Sequence, residues 1–152
     1  TGVRAMLFVA AVLMPHAAWA QSMEEFFDDS VVQDIRLKLQ SNDWAALKKN
    51  YKENIYYGAE LRWRGVTVPN VGIRSPALGS RSEHKPGLRV DMDRFAADQT
   101  FLGLKSFVLD NLVQDPSMLR ERLSMAFFRR LGLPAPREAH ARLSISDAWV
   151  GV

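Results

Sequence analysis

Cysteine is absent from the 152 residues, so the chain can use neither a disulfide framework nor thiolate chemistry, and its hydrophobic core must hold it together. Histidine is scarce, and His16, His84 and His140 stand far apart with no second imidazole or carboxylate at ligand spacing, which argues against a His-built metal site. The G-x-S-x-G, H-E-x-x-H, Walker and dinucleotide fingerprints are also missing. Charge of one sign is in short supply: the formal net charge is +3, and losing Arg4 with the leader described below makes it +2. That is too little to argue for nucleic acid as a partner. Glycine and proline, at 9 and 7 residues, are not enriched enough to suggest disorder. The apolar run from Ala5 to Met14, about ten residues long, is too short to span about 30 Å of hydrocarbon.

That run has another use. Arg4 provides a positive start, Pro15 breaks the run, and Ala18-Trp19-Ala20 is an A-x-A cleavage site. Residues 1–20 therefore read as a secretory signal peptide cleaved after Ala20, leaving a mature chain that begins at Gln21 and has no membrane span. Export would end in the periplasm, the cell envelope or the medium. The sequence opens on Thr1 and closes on the strand-like run Trp149 to Val152, so both ends read as cut.

The rest, in a chain 47% hydrophobic and 10% aromatic, suffices for one globular domain or part of one. Residues 21–57 read as a helical lead-in. Gln21 to Phe27 is extended, Ser30 caps a short helix carrying Val32, Ile35 and Leu39, and Asn42 or Asp43 opens a second helix with Trp44 as a core anchor. At Tyr56 the period changes to two: Ala59, Leu61 and Trp63 alternate with Glu60, Arg62 and Arg64 before a turn at Gly65. Val66 and Val68 form a short run, Pro69-Asn70 turns the chain, and Val71 to Arg74 makes another strand. Ser75 to Gly87 is loop by composition. Leu88 to Met92 and Ser106 to Leu109 resume the strand pattern, and Ala139 to Ile145 turns through Ser146-Asp147 into a final strand.

Between these strands lies the helix with the clearest limits. Asp115 is a suitable N-cap, Pro116 fits the first helical position, and Leu119, Leu123, Phe127 and Leu131 draw one apolar stripe meant for a core. Gly132 can close the helix in the left-handed conformation, and Pro134 and Pro136 prevent continuation. The reading is α+β: a mostly antiparallel sheet with one central helix, preceded by two short helices.

Candidate chemistry clusters in the basic stretch from Leu61 to Val90. The Gly79-Ser80-Arg81-Ser82 loop, flanked by Arg74 and Lys85, offers amides, hydroxyls and cations to phosphate oxygens. A solvated strand face is the plainer reading of the same charges. Glu121 could reach back from the helix to hold a lysine or arginine, or stand exposed in local ion pairs. Asp110, Asn111 and Asp115 invite a metal reading, against which Asp115 has a capping role and Asn111 suits a turn. Trp63 and Trp149 admit a carbohydrate-binding sheet, although aromatics at alternating strand positions usually face a core.

Several motifs stand in a recognisable order: Val71-Gly72-Ile73-Arg74, Gly79-Ser80-Arg81-Ser82, Lys85 to Asp91, Phe101 to Lys105, Leu109 to Leu112, Asp115 to Glu121, and Leu131 to Arg137. In this order the chain resembles the N-terminal part of the CotH kinase family, named for spore coat protein H, over residues 58–152. The resemblance implies an atypical protein-kinase-like N-terminal region, incomplete at its C-terminus, and transfer of ATP phosphate to protein Ser or Thr hydroxyls in the full-length protein. It implies ATP with Mg or Mn as cofactor, and nucleotide and protein substrate as partners. Arg74, Ser80, Arg81 and Lys85 would face the phosphates, and Glu121 would orient Lys85. The family's catalytic and metal-binding carboxylates would follow Val152, so no catalytic residue is assigned within this sequence and it is not expected to catalyse by itself. Where the family commonly turns its last hairpin through Asn-Gly, this chain has Ser146-Asp147-Ala148. A non-catalytic secreted coat, adhesion or interaction module on the same fold is the alternative.

Overall fold

The computed structural model describes residues 21–76 and 82–151. Its elements in chain order are α1 (Met23–Phe26), β1 (Gln33–Lys38), α2 (Ser41–Lys49), β2 (Tyr57–Trp63), β3 (Val66–Arg74), β4 (Leu88–Asp91), β5 (Ser106–Leu109), α3 (Arg120–Arg130), β6 (Ala141–Ile145) and β7 (Ala148–Gly151). The seven strands form one mixed sheet in the order β5-β4-β3-β2-β1-β6-β7. Neighbours run antiparallel except β1 and β6, whose parallel register pairs Ile35 with Leu143 and Leu37 with Ile145. The α+β class expected from the sequence holds, and no described helix is long and apolar enough to cross a membrane.

The first correction is β1. Val32, Ile35 and Leu39 fit a helical spacing, but Gln33, Ile35, Leu37 and Leu39 also alternate with polar residues, and this second pattern is the one that folds. The strand is clasped between β2 and β6, so both its edges are hydrogen-bonded, a tertiary reward that local helix propensity cannot match. The lead-in before it is not extended: Ser22 and Glu25 form a capping box that starts α1. This one turn places Phe26 in the core, its ring 5.0 Å from Phe101, 5.4 Å from Trp63 and 5.2 Å from Phe107. Burying that side chain contributes about 2–3 kcal/mol.

Pro69-Asn70 does not end a strand. Between Ala59↔Val71 and Leu61↔Val68 the register shifts, so this dipeptide is a bulge within the continuous β3, where proline's missing donor is harmless. At the preceding hairpin Arg64 and Gly65 both take positive φ, +44° and +83°, the two-residue turn whose twist matches the flanking strands.

Helix α3 starts five residues after the expected cap. Met118 is left-handed, with φ +56°, which interrupts any helix from Pro116. Asp115 still satisfies helix-terminal donors: its carboxylate accepts from the Arg120 amide at 2.7 Å and the Ser117 amide at 3.1 Å. The other end is as read. Gly132 has φ +73°, and the amides of Gly132 and Leu133 close back on Arg129 and Phe128 at 3.0 Å each. The apolar stripe, however, buries nothing: α3 has no buried residue, and Leu123 and Phe127 are 64% and 59% exposed. Trp63 is 1% exposed in the core, which removes it from any carbohydrate platform.

Candidate functional site

The core face of the sheet is hollow beneath β1, β5 and β6. A cavity of about 660 Å³ opens there, walled by Phe27, Phe107, Leu143 and Val150, with Lys85, Asp110, Glu121, Glu138 and His140 also on its lining. Phe107 and Leu143 come from strands whose alternate residues turn inward, so the apolar wall follows from period-two patterning.

Lys85 is held by its backbone. Its amide donates to Ser82 Oγ at 3.1 Å, and its carbonyl accepts from Asn111 Nδ2 at 2.8 Å. Asn111 is 3% exposed and its Oδ1 accepts from the Val113 amide at 3.2 Å, so this turn residue joins the end of β5 to the lysine loop. The lysine side chain crosses Gly151. A Cβ there would stand 2.7 Å from Lys85 Cε and 3.2 Å from Nζ, and Gly151 has φ +148°. The positive φ favours glycine, while the lysine tip could move aside from a Cβ.

Glu121 occupies the first turn of α3, exposed, on the lining of the same cavity. No ion pair joins it to Lys85 among the described residues. A second carboxylate accompanies it. Glu138, half-buried on the cavity lining, has its pKa raised by burial first, then by the negative charges of Glu121 and Asp110, with Arg129 opposing. Sequence reasoning missed Glu138, and no local signal could have found it: it sits in irregular chain ahead of β6, and its importance comes from neighbours remote in sequence.

His140 fixes the approach to the helix. Its Nε2 donates to the Met118 carbonyl at 2.7 Å, which leaves Nδ1 to accept from Arg122 at 3.4 Å. Arg122 also donates to the Asp29 carbonyl at 2.7 Å, so the turn before α3, β6 and the segment after α1 are tied together at one side of the cavity.

Of the residues singled out in the sequence, the structure brings Lys85 and Glu121 to the cavity together with His84, Asp110, Asn111 and His140. Ser80 and Arg81 lie outside the described residues. Arg74 is not on the cavity lining: it pairs across the sheet with Arg89, while its neighbour Ile73, which is fully buried, pairs with Val90. Strand alternation turns Arg74 to the opposite face, where its Nε donates to the Tyr56 hydroxyl at 2.9 Å. Among Asp110, Asn111 and Asp115, four side-chain oxygens are spent on local amides: one of Asp110 on Leu112, that of Asn111 on Val113, and the two of Asp115 on Ser117 and Arg120.

No curated protein matches the chain. The family model described as CotH kinase protein matches residues 61–152, more than half of the sequence. The chain belongs to the CotH kinase family.

Proposed function

We propose that the cavity holds ATP and that the full-length protein, exported by the leader of residues 1–20, transfers phosphate to protein Ser or Thr hydroxyls. The observation that carries this reading is that Lys85 and Glu121, 36 positions apart in sequence, both line one apolar-walled cavity of about 660 Å³, a size within the roughly 300–1,000 Å³ of small-molecule sites. In this reading the sheet with α3 is the counterpart of a kinase N-terminal lobe.

The residues present fit the nucleotide. Phe107, Leu143 and Val150 offer a surface for a base and Lys85 a cation for phosphate oxygens, whereas no group of three or more His, Asp or Glu side chains among the described residues is placed to hold a metal ion. ATP with its metal would supply the phosphoryl group and neutralise its charge. Lys85 would bind the phosphates, its reach set by Gly151 and its backbone by Asn111. Glu121 would draw the lysine into place from the helix, and Ser80 and Arg81 would add donors from their loop. Arg74, on the other face, belongs to a different cluster in this reading.

The test is ATP binding by the full-length protein, read as thermal stabilisation with Mg or Mn, together with transfer of labelled γ-phosphate to protein. A ligand at a hundred times its Kd should stabilise by about 2.7 kcal/mol. Lys85→Ala and Glu121→Ala should each reduce that stabilisation and the transfer. Unchanged ATP binding in both variants would overturn the assignment.

A further inference from the structure

The outer face of the sheet carries a second cluster that the cavity does not use. β3 and β4 pair Gly72 with Asp91 and Arg74 with Arg89, so these four residues share the face opposite Ile73 and Val90. Two guanidinium groups lie against the ring of Tyr56, just before β2: Arg94 is 4.5 Å from the ring centre and Arg74 5.4 Å, the latter also donating through Nη1 to Asn54 Oδ1 at 3.2 Å and the Ser75 carbonyl at 3.4 Å. The Tyr56 hydroxyl donates to Asp91 and accepts from Arg74 Nε. Asp91, 8% exposed, also accepts from Arg89 Nε at 2.8 Å, and Arg89 reaches Ser106 Oγ at 2.9 Å. Asp91 is thereby spent on Arg89 and Tyr56.

Arg94 is different. It makes no hydrogen bond or ion pair among the described residues, yet its position is closely defined. Its stem runs directly over Gly72, where a Cβ would lie 2.6 Å from both Arg94 Cβ and Cγ, and its head lies over Tyr56. Arg94 is exposed, yet the glycine beneath its stem and the ring under its head lie close against it. Both restrict its rotamers in advance, which is what recognition by a guanidinium requires. The six residues Tyr56, Arg74, Arg89, Asp91, Asp93 and Arg94 line a shallow polar pocket there. Three arginines against two aspartates leave it one positive charge.

We propose that this pocket binds a single phosphate monoester group, gripped by Arg94 and Arg74 with Tyr56 as the platform between their charges and the buried Asp91. Two guanidinium heads match the several oxygens of a tetrahedral dianion, whereas a lone carboxylate would serve one of them. Asp93 holds the net charge to one, which suits one phosphate better than a polyphosphate chain. The site is separate from the cavity and does not depend on the kinase reading.

The experiment is calorimetric titration of the full-length protein with inorganic phosphate and, separately, with a phosphoserine peptide. Saturable one-to-one binding of either probe is expected; preference for the peptide assigns a protein-borne phosphate, and equal binding a free anion. Arg94→Ala should weaken binding about tenfold or more, and Arg94→Lys, which keeps the charge but loses the fork, by a smaller factor. Gly72→Ala should weaken it by displacing Arg94. Arg62→Ala, which removes an exposed β2 arginine paired with Glu60, should leave it unchanged. Binding that is equally strong in Arg94→Ala, or absent up to roughly 10 mM probe, would overturn the proposal. So would displacement of the probe by stoichiometric ATP, because the cluster would then belong to the nucleotide site.

Discussion

Replacing Gln33 by leucine tests how α1 is fastened to the sheet. Gln33 is 2% exposed; its Oε1 accepts from Trp63 Nε1 at 2.9 Å, and its Nε2 donates to the carbonyls of Glu25 at 2.9 Å and Asp28 at 3.3 Å. One side chain thus joins the interior strand β1, the core tryptophan and the end of the first helix. Leucine fills a similar volume but leaves the buried indole N–H unpaired, at about 1–3 kcal/mol. The two carbonyls lie nearer the surface, where water can replace the amide, so they add about 1 kcal/mol or less. Leucine recovers part of this through apolar burial, and the net loss should be about 2 kcal/mol. Urea unfolding followed by far-UV circular dichroism reads the loss directly. Trp63→Phe alone leaves Gln33 Oε1 orphaned, so the double variant should lose less than the sum of the singles by about 1–2 kcal/mol. Strict additivity, or a Gln33→Leu loss below about 0.5 kcal/mol, would refute the role given to this hydrogen-bond junction.

Two further outcomes follow from the site. Gly151→Ala should weaken ATP binding by less than Lys85→Ala does, because the new Cβ shifts the lysine tip without removing its charge, and adding Lys85→Ala to it should cost less than Lys85→Ala alone; full additivity in ATP titrations would show that the two act independently. The Asp115 carboxyl has its pKa lowered, first by the Ser117 hydroxyl and then by the Arg120 amide. Its contribution is therefore complete above the ordinary carboxylate pKa of about 3.9 and is lost as pH falls through the depressed folded value. Acid unfolding of Asp115→Asn should lack that part of the slope, and identical pH profiles would count against the cap.

What could be read from residues alone was local. Gly132 after Arg129 and Arg130 marks a helix end because the left-handed geometry is a property of that residue, and the alternation of Leu88 and Val90 marks β4 because the pleat imposes period two. The ordered motifs likewise pointed to the family that residues 61–152 match. Where two periods coexist, as at Ile35 and Leu39, local pattern could not choose; the hydrogen bonds from β2 and β6 chose the strand. Asp115 was legible as a cap, but which amide it caps depends on the left-handed Met118, whose carbonyl is held by His140, 22 residues away. The stripe on α3 was legible as amphipathic, yet amphipathicity states only that a face is apolar and not what covers it. At the site, Lys85, Glu121 and Asn111 could be named from the sequence, though Asn111 holds the lysine backbone rather than a metal, whereas Glu138 and Gly151 gained their parts only through folding, and Arg74 was turned away by the parity of β3. Spacing along the chain determines which side of an element a residue occupies; the pairing of distant elements determines what lies on that side, and a site is made by the second.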